Sequence, residues 1–263
     1  MVIERRFLVL VCALVFSAGL GIANARADAE AVTCSAGTER LEFAAVGKQP
    51  KFEPLVLCWG GKDDAIEVSV NPFLGIEITG HWMGSRLVSG REFFGPKNHW
   101  PEDGSSVDIY VSTPERHVII FDDSLASNVT SINSALKTIG DQASFGVSLE
   151  ESPASQSLTF ERSGDDIFAA SRRVPPGRTP KGVLEYRVRT SGGQVDYMMR
   201  CLVEDEPADW ARIGCRIGWL SDRYTVQAIA LGQDIGAIME SFEALRGQID
   251  LNLVAPAANQ PPK

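Results

Sequence analysis

Three histidines, His81, His99 and His117, are the first residues to weigh for chemistry. Imidazole changes charge between pH 5 and 8, so each could act as a general base or as a transition-metal ligand. Two of them precede tryptophan, as His81-Trp82 and His99-Trp100, in a stretch dense in glycine and aromatic residues from Gly80 to Gly104. An enzyme built here would set Glu102 or Asp103 beside His81 or His99. Nothing in the spacing, however, brings the three imidazoles together on one helix or strand. The chain also has no G-x-S-x-G, H-E-x-x-H, Walker, C-x-x-C or EF-hand pattern. Active sites assemble from distant residues, so this lowers the weight of a catalytic reading without removing it. No catalytic residue, metal or cofactor is expected.

The same stretch reads more simply as a recognition loop. His81, Trp82, Arg86, Arg91, Phe93, Phe94, His99 and Trp100 are the residue types that anchor protein interfaces, carried on a segment expected to be a loop. A second candidate surface is arginine-rich and comprises Arg187, Arg189, Arg200 and Arg216. The expected strand register sets Arg200 opposite Arg216, a like-charge pair that costs stability unless an anion lies between them. Glu185, expected opposite Arg200, is one such anion; an acidic partner surface or an anionic glycan is another. The acidic doublets Asp63-Asp64, Asp122-Asp123 and Asp165-Asp166 each sit beside a glycine or a strand end, where turns and helix caps account for them.

These arginines belong to the one stretch that specifies its own register, Val183 to Gly247. Ser191-Gly192-Gly193-Gln194 carries glycine at both central positions of a two-residue hairpin, which predicts Val188 opposite Tyr197, Tyr186 opposite Met199 and Leu184 opposite Cys201. A second turn at Leu220-Ser221-Asp222-Arg223 pairs Trp219 with Tyr224, Ile217 with Val226 and Cys215 with Ala228. Cys201 and Cys215 flank the intervening loop symmetrically, so they should face each other. With period-two alternation, Leu184, Tyr186, Val188, Tyr197, Met199, Cys201, Cys215, Ile217, Val226 and Ala228 share one apolar side, and the arginines share the other. Asp234 then caps a helix with Ile235, Ile238, Met239, Phe242, Leu245 and Ile249 at helical spacing, expected to cover this sheet and to stop at Gly247.

Upstream, short strand-like runs at Leu41–Phe43, Leu55–Trp59, Ile66–Val70, Ile76–Ile78, Val107–Val111 and Val118–Phe121 are separated by glycine, proline and aspartate turns. Ser127 or Asn128 is expected to cap a helix carrying Val129, Ile132, Leu136 and Ile139. Strands resume at Phe145–Leu149 and Leu158–Phe160, and Arg173-Val174-Pro175-Pro176-Gly177 reads as a long loop. The fold class is therefore α+β: antiparallel sheets, two main amphipathic helices, and a C-terminal four-stranded meander covered by the last helix. Residues 30–174 form a strand-rich region with one helix and 175–254 the sheet and helix just described. The proline-rich segment 255–263 is expected to be a disordered tail.

The amino terminus places the chain in a compartment. Arg5 and Arg6, an apolar run from Phe7 to Ile22, and small-residue triplets ending at Ala25 and Ala29 read as a signal peptide over residues 1–29. Cys12 leaves with it, and Cys34, Cys58, Cys201 and Cys215 remain for an oxidising compartment. The expected bridges are Cys201–Cys215 from the register and Cys34–Cys58 by elimination. No later segment approaches the ~20 apolar residues that span a bilayer, so no stable membrane insertion is expected after cleavage. Loss of the leader takes Arg5, Arg6 and Arg26 with Glu4 and Asp28, moving the net charge from −9 to −10. Nucleic acid is a poor partner for that charge.

Export, disulfides, acidity and the lack of catalytic motifs fit a periplasmic protein that binds another envelope protein, such as an inhibitor or immunity protein against a toxin or hydrolase. A hydrolase or metal-dependent enzyme using His81 and His99 is the alternative. A small-ligand carrier with a pocket between the sheet and the helix from Asp234 to Gly247 is a further one.

Overall fold

Antiparallel pairing dominates the computed structural model, which describes residues 33–43, 54–60, 65–71, 75–96, 99–112, 123–139, 142–150, 156–178, 180–206, 211–220 and 224–254. The expected signal peptide and tail, Asp63-Asp64, His117, the strand at Val118–Phe121 and the turn centre Ser221-Asp222 lie outside them.

One sheet has eleven strands: β3 (Ile66–Asn71), β4 (Gly75–Met83), β5 (Arg86–Val88), β6 (Gly104–Ser112), β7 (Ser144–Leu149), β8 (Gln156–Gly164), β9 (Ile167–Arg173), β10 (Gly182–Ser191), β11 (Gln194–Glu204), β12 (Ile213–Leu220) and β13 (Thr225–Gly232). Its spatial order is β3-β4-β6-β13-β12-β11-β10-β9-β8-β7, with β5 beside β4. A second sheet joins β1 (Thr38–Phe43), β2 (Leu55–Gly60) and the short β14 (Leu253–Val254). The helices are α1 (Gly90–Phe94), α2 (Asp123–Ile139) and α3 (Ile235–Asn252). Among the described residues the fold is thus mostly antiparallel sheet with three helices, the last at the C-terminal end. The expected meander is present as β10 to β13.

The two long helices cover opposite faces of the large sheet. On one face α3 and the small sheet bury Ile238, Phe242, Leu245 and Ile249 against Ile78, Ile109, Met199 and Val226. On the other, α2 buries Ile132 and Leu136 against Phe160, Tyr186, Val188 and Met198. Met198 and Met199 are consecutive in β11 and both are fully buried, each in a different core. Removing a large apolar side chain from water contributes roughly 1.5 to 3 kcal/mol, so the α3 face, which buries the larger cluster, contributes more to stability than the α2 face. The last helix therefore covers the β13, β6 and β4 side of the sheet, and α2 covers the β11-to-β7 side from the opposite face.

The expected register of the first hairpin fails by one residue. Gly192 and Gly193 do make the turn with φ of 57° and 75°, and Ser191 pairs Gln194 and Thr190 pairs Val195. Asp196 is then an extra residue in β11, because Arg189 pairs Tyr197 and not Asp196. A bulge of this kind flips every later side chain to the other face. Tyr186 and Val188 consequently lie under α2, while Tyr197, Met199 and Cys201 lie under α3. The cause is specific: Arg246 of α3 donates from both terminal nitrogens to the two Asp196 carboxylate oxygens at 2.7 Å.

Other differences are smaller. Trp219 pairs Val226, Ile217 pairs Ala228 and Cys215 pairs Ala230, a shift of two residues that leaves faces unchanged. Asn128 caps nothing; α2 begins at Asp123, and the Asn128 amide binds both backbone groups of Glu150, accepting from its N–H at 2.7 Å. Asp234 caps α3 by accepting from Ala237 N–H, but the helix runs past Gly247 to Asn252 because Ile249 is still buried. Both expected disulfides, Cys34–Cys58 and Cys201–Cys215, are formed, and two such bonds are consistent with an exported protein. No described helix is long and apolar enough to cross a membrane.

Candidate functional site

The stretch expected to be a loop from Gly80 to Gly104 is mostly regular structure. β4 runs through His81 and Trp82 to Met83, so these neighbours point to opposite faces. Trp82 lies in the α3 core, folded over Gly80; a Cβ there would fall 2.6 Å from the indole ring, so only glycine fits. His81 lies on the other face. Ser89 then starts α1, accepting from Glu92 N–H, and this turn delivers Phe93 and Phe94 to the imidazole.

The result is an aromatic corner. His81 stacks on Phe93 at 4.9 Å and meets Phe94 edge-on at 5.5 Å, and Trp100 meets Phe93 edge-on at 5.0 Å. Trp100 is fixed by donating from Nε1 to Gly104 O at 3.2 Å. Phe94 is the exposed member at 36%, while His81 retains 7% exposure. Burial pushes the His81 pKa down, and the nearby Asp108 and Glu67 carboxylates only partly oppose it. The ring is neutral at pH 7, and its Nδ1 is buried without a hydrogen-bond partner. His99 is exposed beside Trp100. Arg91 is exposed, and Arg86 is held by Glu92 in an ion pair of 2.6 Å. Among the described residues no three of His, Cys, Asp and Glu are grouped to hold a metal ion.

The arginines divide. Arg200 pairs Arg216 across β11 and β12, as the sequence predicts. Arg187 and Arg189 were expected beside them, but the Asp196 bulge puts both on the opposite face. Glu185 moves with them: it stands opposite Cys201, not Arg200, and pairs with Arg187 at 3.1 Å. Tyr186 is the residue opposite Arg200.

Cross-strand pairing joins the aromatic corner and the arginine pair into one face. Glu67, Thr79, Asp108, Ile229, Arg216 and Arg200 form a row across β3, β4, β6, β13, β12 and β11. His81 is two residues along β4 from Thr79 and so shares that face. α2 packs on β7, β11 and, more lightly, β12, leaving Glu67 and Arg216 exposed, Arg200 half-buried and Ile229 40% exposed. The acidic members are positioned: Thr79 donates to Asp108 at 2.8 Å, and Tyr110 donates to Glu77 at 3.1 Å on the same face. The face is acidic over β3, β4 and β6, apolar at Ile229, and basic over β12 and β11. Ile229 stands on the outer face, as the alternation of β13 predicts; sequence reasoning missed Glu67, Glu77 and Asp108, although each occupies the polar phase of its strand's alternation.

The opposite face carries a concavity of about 480 Å³ at the start of α3, lined by Glu185, Arg187, Arg212, Asp234, Gly236 and Met239 among others. Arg187 donates to Ser163 Oγ at 3.0 Å there.

Comparison with known proteins adds little. No protein-family model matches the chain, and no curated protein does. Among solved structures, Smlt3025, an immunity protein of the Stenotrophomonas maltophilia type IV secretion system, is similar at 12% identity with a TM-score of 0.46. The match covers 84% of this chain and 100% of that one. Similarity so remote carries no functional conclusion.

Proposed function

We propose that this chain is an exported, periplasmic protein-binding protein without catalytic activity, an inhibitor or immunity protein against a toxin or hydrolase acting in the envelope. The observation that supports this most is the joined face, on which Phe94 and Trp100 stand at one corner and Arg216, Ile229 and Glu67 are displayed on a sheet. Specific protein interfaces combine aromatic and arginine anchors with polar surroundings. The Cys201–Cys215 bridge between β11 and β12 and the packing on both sides of the sheet brace that face, which reduces the ordering cost of binding. The partner is another envelope protein; neither nucleic acid nor a membrane is required.

The test is capture from envelope extract on immobilised oxidised protein, beside the Arg200→Ser, Arg216→Ser double variant. One stoichiometric protein retained by the wild type and lost by the folded variant supports the reading. Retention of no protein, or equal retention by both, contradicts it.

The concavity at the start of α3 favours a second reading, a small-ligand carrier, since its walls offer both Glu185 and Arg187 to a polar ligand. Mass spectrometry of the protein released under denaturing conditions tests it; a co-purifying compound absent from Arg187→Ala is the expected result.

A further inference from the structure

The open face is electrostatically divided, and the division has a symmetry. Ile229 lies on the boundary, with Asp108 beside it in β6 and Arg216 beside it in β12. Outward from Asp108 come Thr79 and Glu67, with Glu77 nearby; outward from Arg216 comes Arg200. A two-fold axis lying in the face and running between β6 and β13 exchanges the halves. It sets β3 of one copy over β11 of the other and β4 over β12. Each Glu67 then meets an Arg200, and each Arg216 meets the Glu77, Thr79 and Asp108 group of the other copy.

We propose that this face is self-complementary and that two copies of the chain pair through it. Isologous contact of this kind needs one surface that matches its own rotated image, and a face acidic on one side and basic on the other meets that condition. Contact also removes Ile229, 40% exposed, from water in both copies. Arg216, exposed and in no ion pair among the described residues, gains three acidic or polar neighbours.

The open span limits the strength of the dimer. Six strands spaced about 4.8 Å apart present a face about 24 Å wide, and the six residues of β3 run only about 20 Å along it, so the contact is smaller than the ~800 Å² per partner of a standard stable interface. The pair is therefore a reversible dimer, favoured at low salt because exposed charges hold it. The proposal is independent of the protein-binding reading. Where both hold, dimer and partner compete for one face, and dissociation precedes binding.

Sedimentation velocity of the oxidised protein across a concentration series, in low and in high salt, tests this directly. The expected result is a concentration-dependent dimer that weakens at least about tenfold on going to high salt. Arg216→Glu should weaken it by about tenfold or more. Glu67→Arg and Arg200→Glu should each be monomeric alone and should associate when mixed, because the mixture restores opposite charges at both contacts. Circular dichroism and thermal melting establish that each variant is folded; should Arg200→Glu not fold, Arg216→Glu and the salt series decide alone. A wild type that stays monomeric at low salt, or a dimer indifferent to salt and to Arg216→Glu, overturns the proposal. Neither result touches capture of an envelope partner, which is read separately.

Discussion

Arg246 of α3 reaches across to Asp196 at the bulge of β11 and holds both carboxylate oxygens at 2.7 Å. The pair is largely buried, with 18% and 21% of the two side chains exposed. It fastens the irregularity that decides which face of β10 meets which core. A bidentate, charge-assisted contact in a partly dry site is stronger than a surface ion pair. Arg246→Ala should therefore lower stability by roughly 2 to 3 kcal/mol, as it leaves a half-buried carboxylate unpaired. Denaturant titration measures this, and a double-mutant cycle with Asp196→Ala should return a coupling of about 1 kcal/mol or more.

The bridge between Cys201 and Cys215 joins residues already paired in adjacent strands, separated by 14 in sequence. Replacing both by alanine should cost about 2 to 4 kcal/mol, mainly by relaxing the unfolded chain. Urea titration of the oxidised protein and of the variant provides the comparison.

Gly75 opens β4 with φ of 121°, and a Cβ there would fall 2.2 Å from the Val111 carbonyl oxygen. Both the backbone conformation and the strand next to it exclude a side chain. Gly75→Ala should destabilise by about 2 kcal/mol or more, measured by thermal melting.

Tyr110 lies on the open face with its hydroxyl on Glu77. Burial first, then the Glu77 carboxylate, push its pKa up to about 12. A phenol in the unfolded chain ionises near pH 10, so the folded state holds its proton more tightly. The resulting stabilisation is complete below about pH 10 and is lost as the pH rises through about 12. Phenolate absorbance should show this step, and Tyr110→Phe should remove it.

Much of the architecture is legible in residue patterns, for identifiable reasons. Ile235, Ile238, Phe242, Leu245 and Ile249 repeat at helical spacing and are buried. The facing of Cys201 and Cys215 follows from symmetry about their loop. The bulge at Asp196 has no local signal, because its cause is an arginine fifty residues on in α3. One extra residue then moved Arg187 and Arg189 to the wrong face in any alternation-based reading. β11 misled for a related reason: Met198 and Met199 serve two cores, so its pattern does not mark a wet face. At the candidate site, Phe93, Phe94, Trp100 and His81 were gathered by local turns and so could be anticipated. Joining them to Arg200 and Arg216 requires the neighbour relation between β6 and β13, which links segments more than a hundred residues apart.

The proposed function requires that the face around Ile229 dock another envelope protein. A photo-crosslinking amino acid placed at Ile229, with one at Ser163 on the opposite face as control, tests it most directly in living cells. A single adduct with a second kind of protein is expected from position 229 and none from 163. Adducts from 163 alone, or none with any other protein from 229, would contradict it.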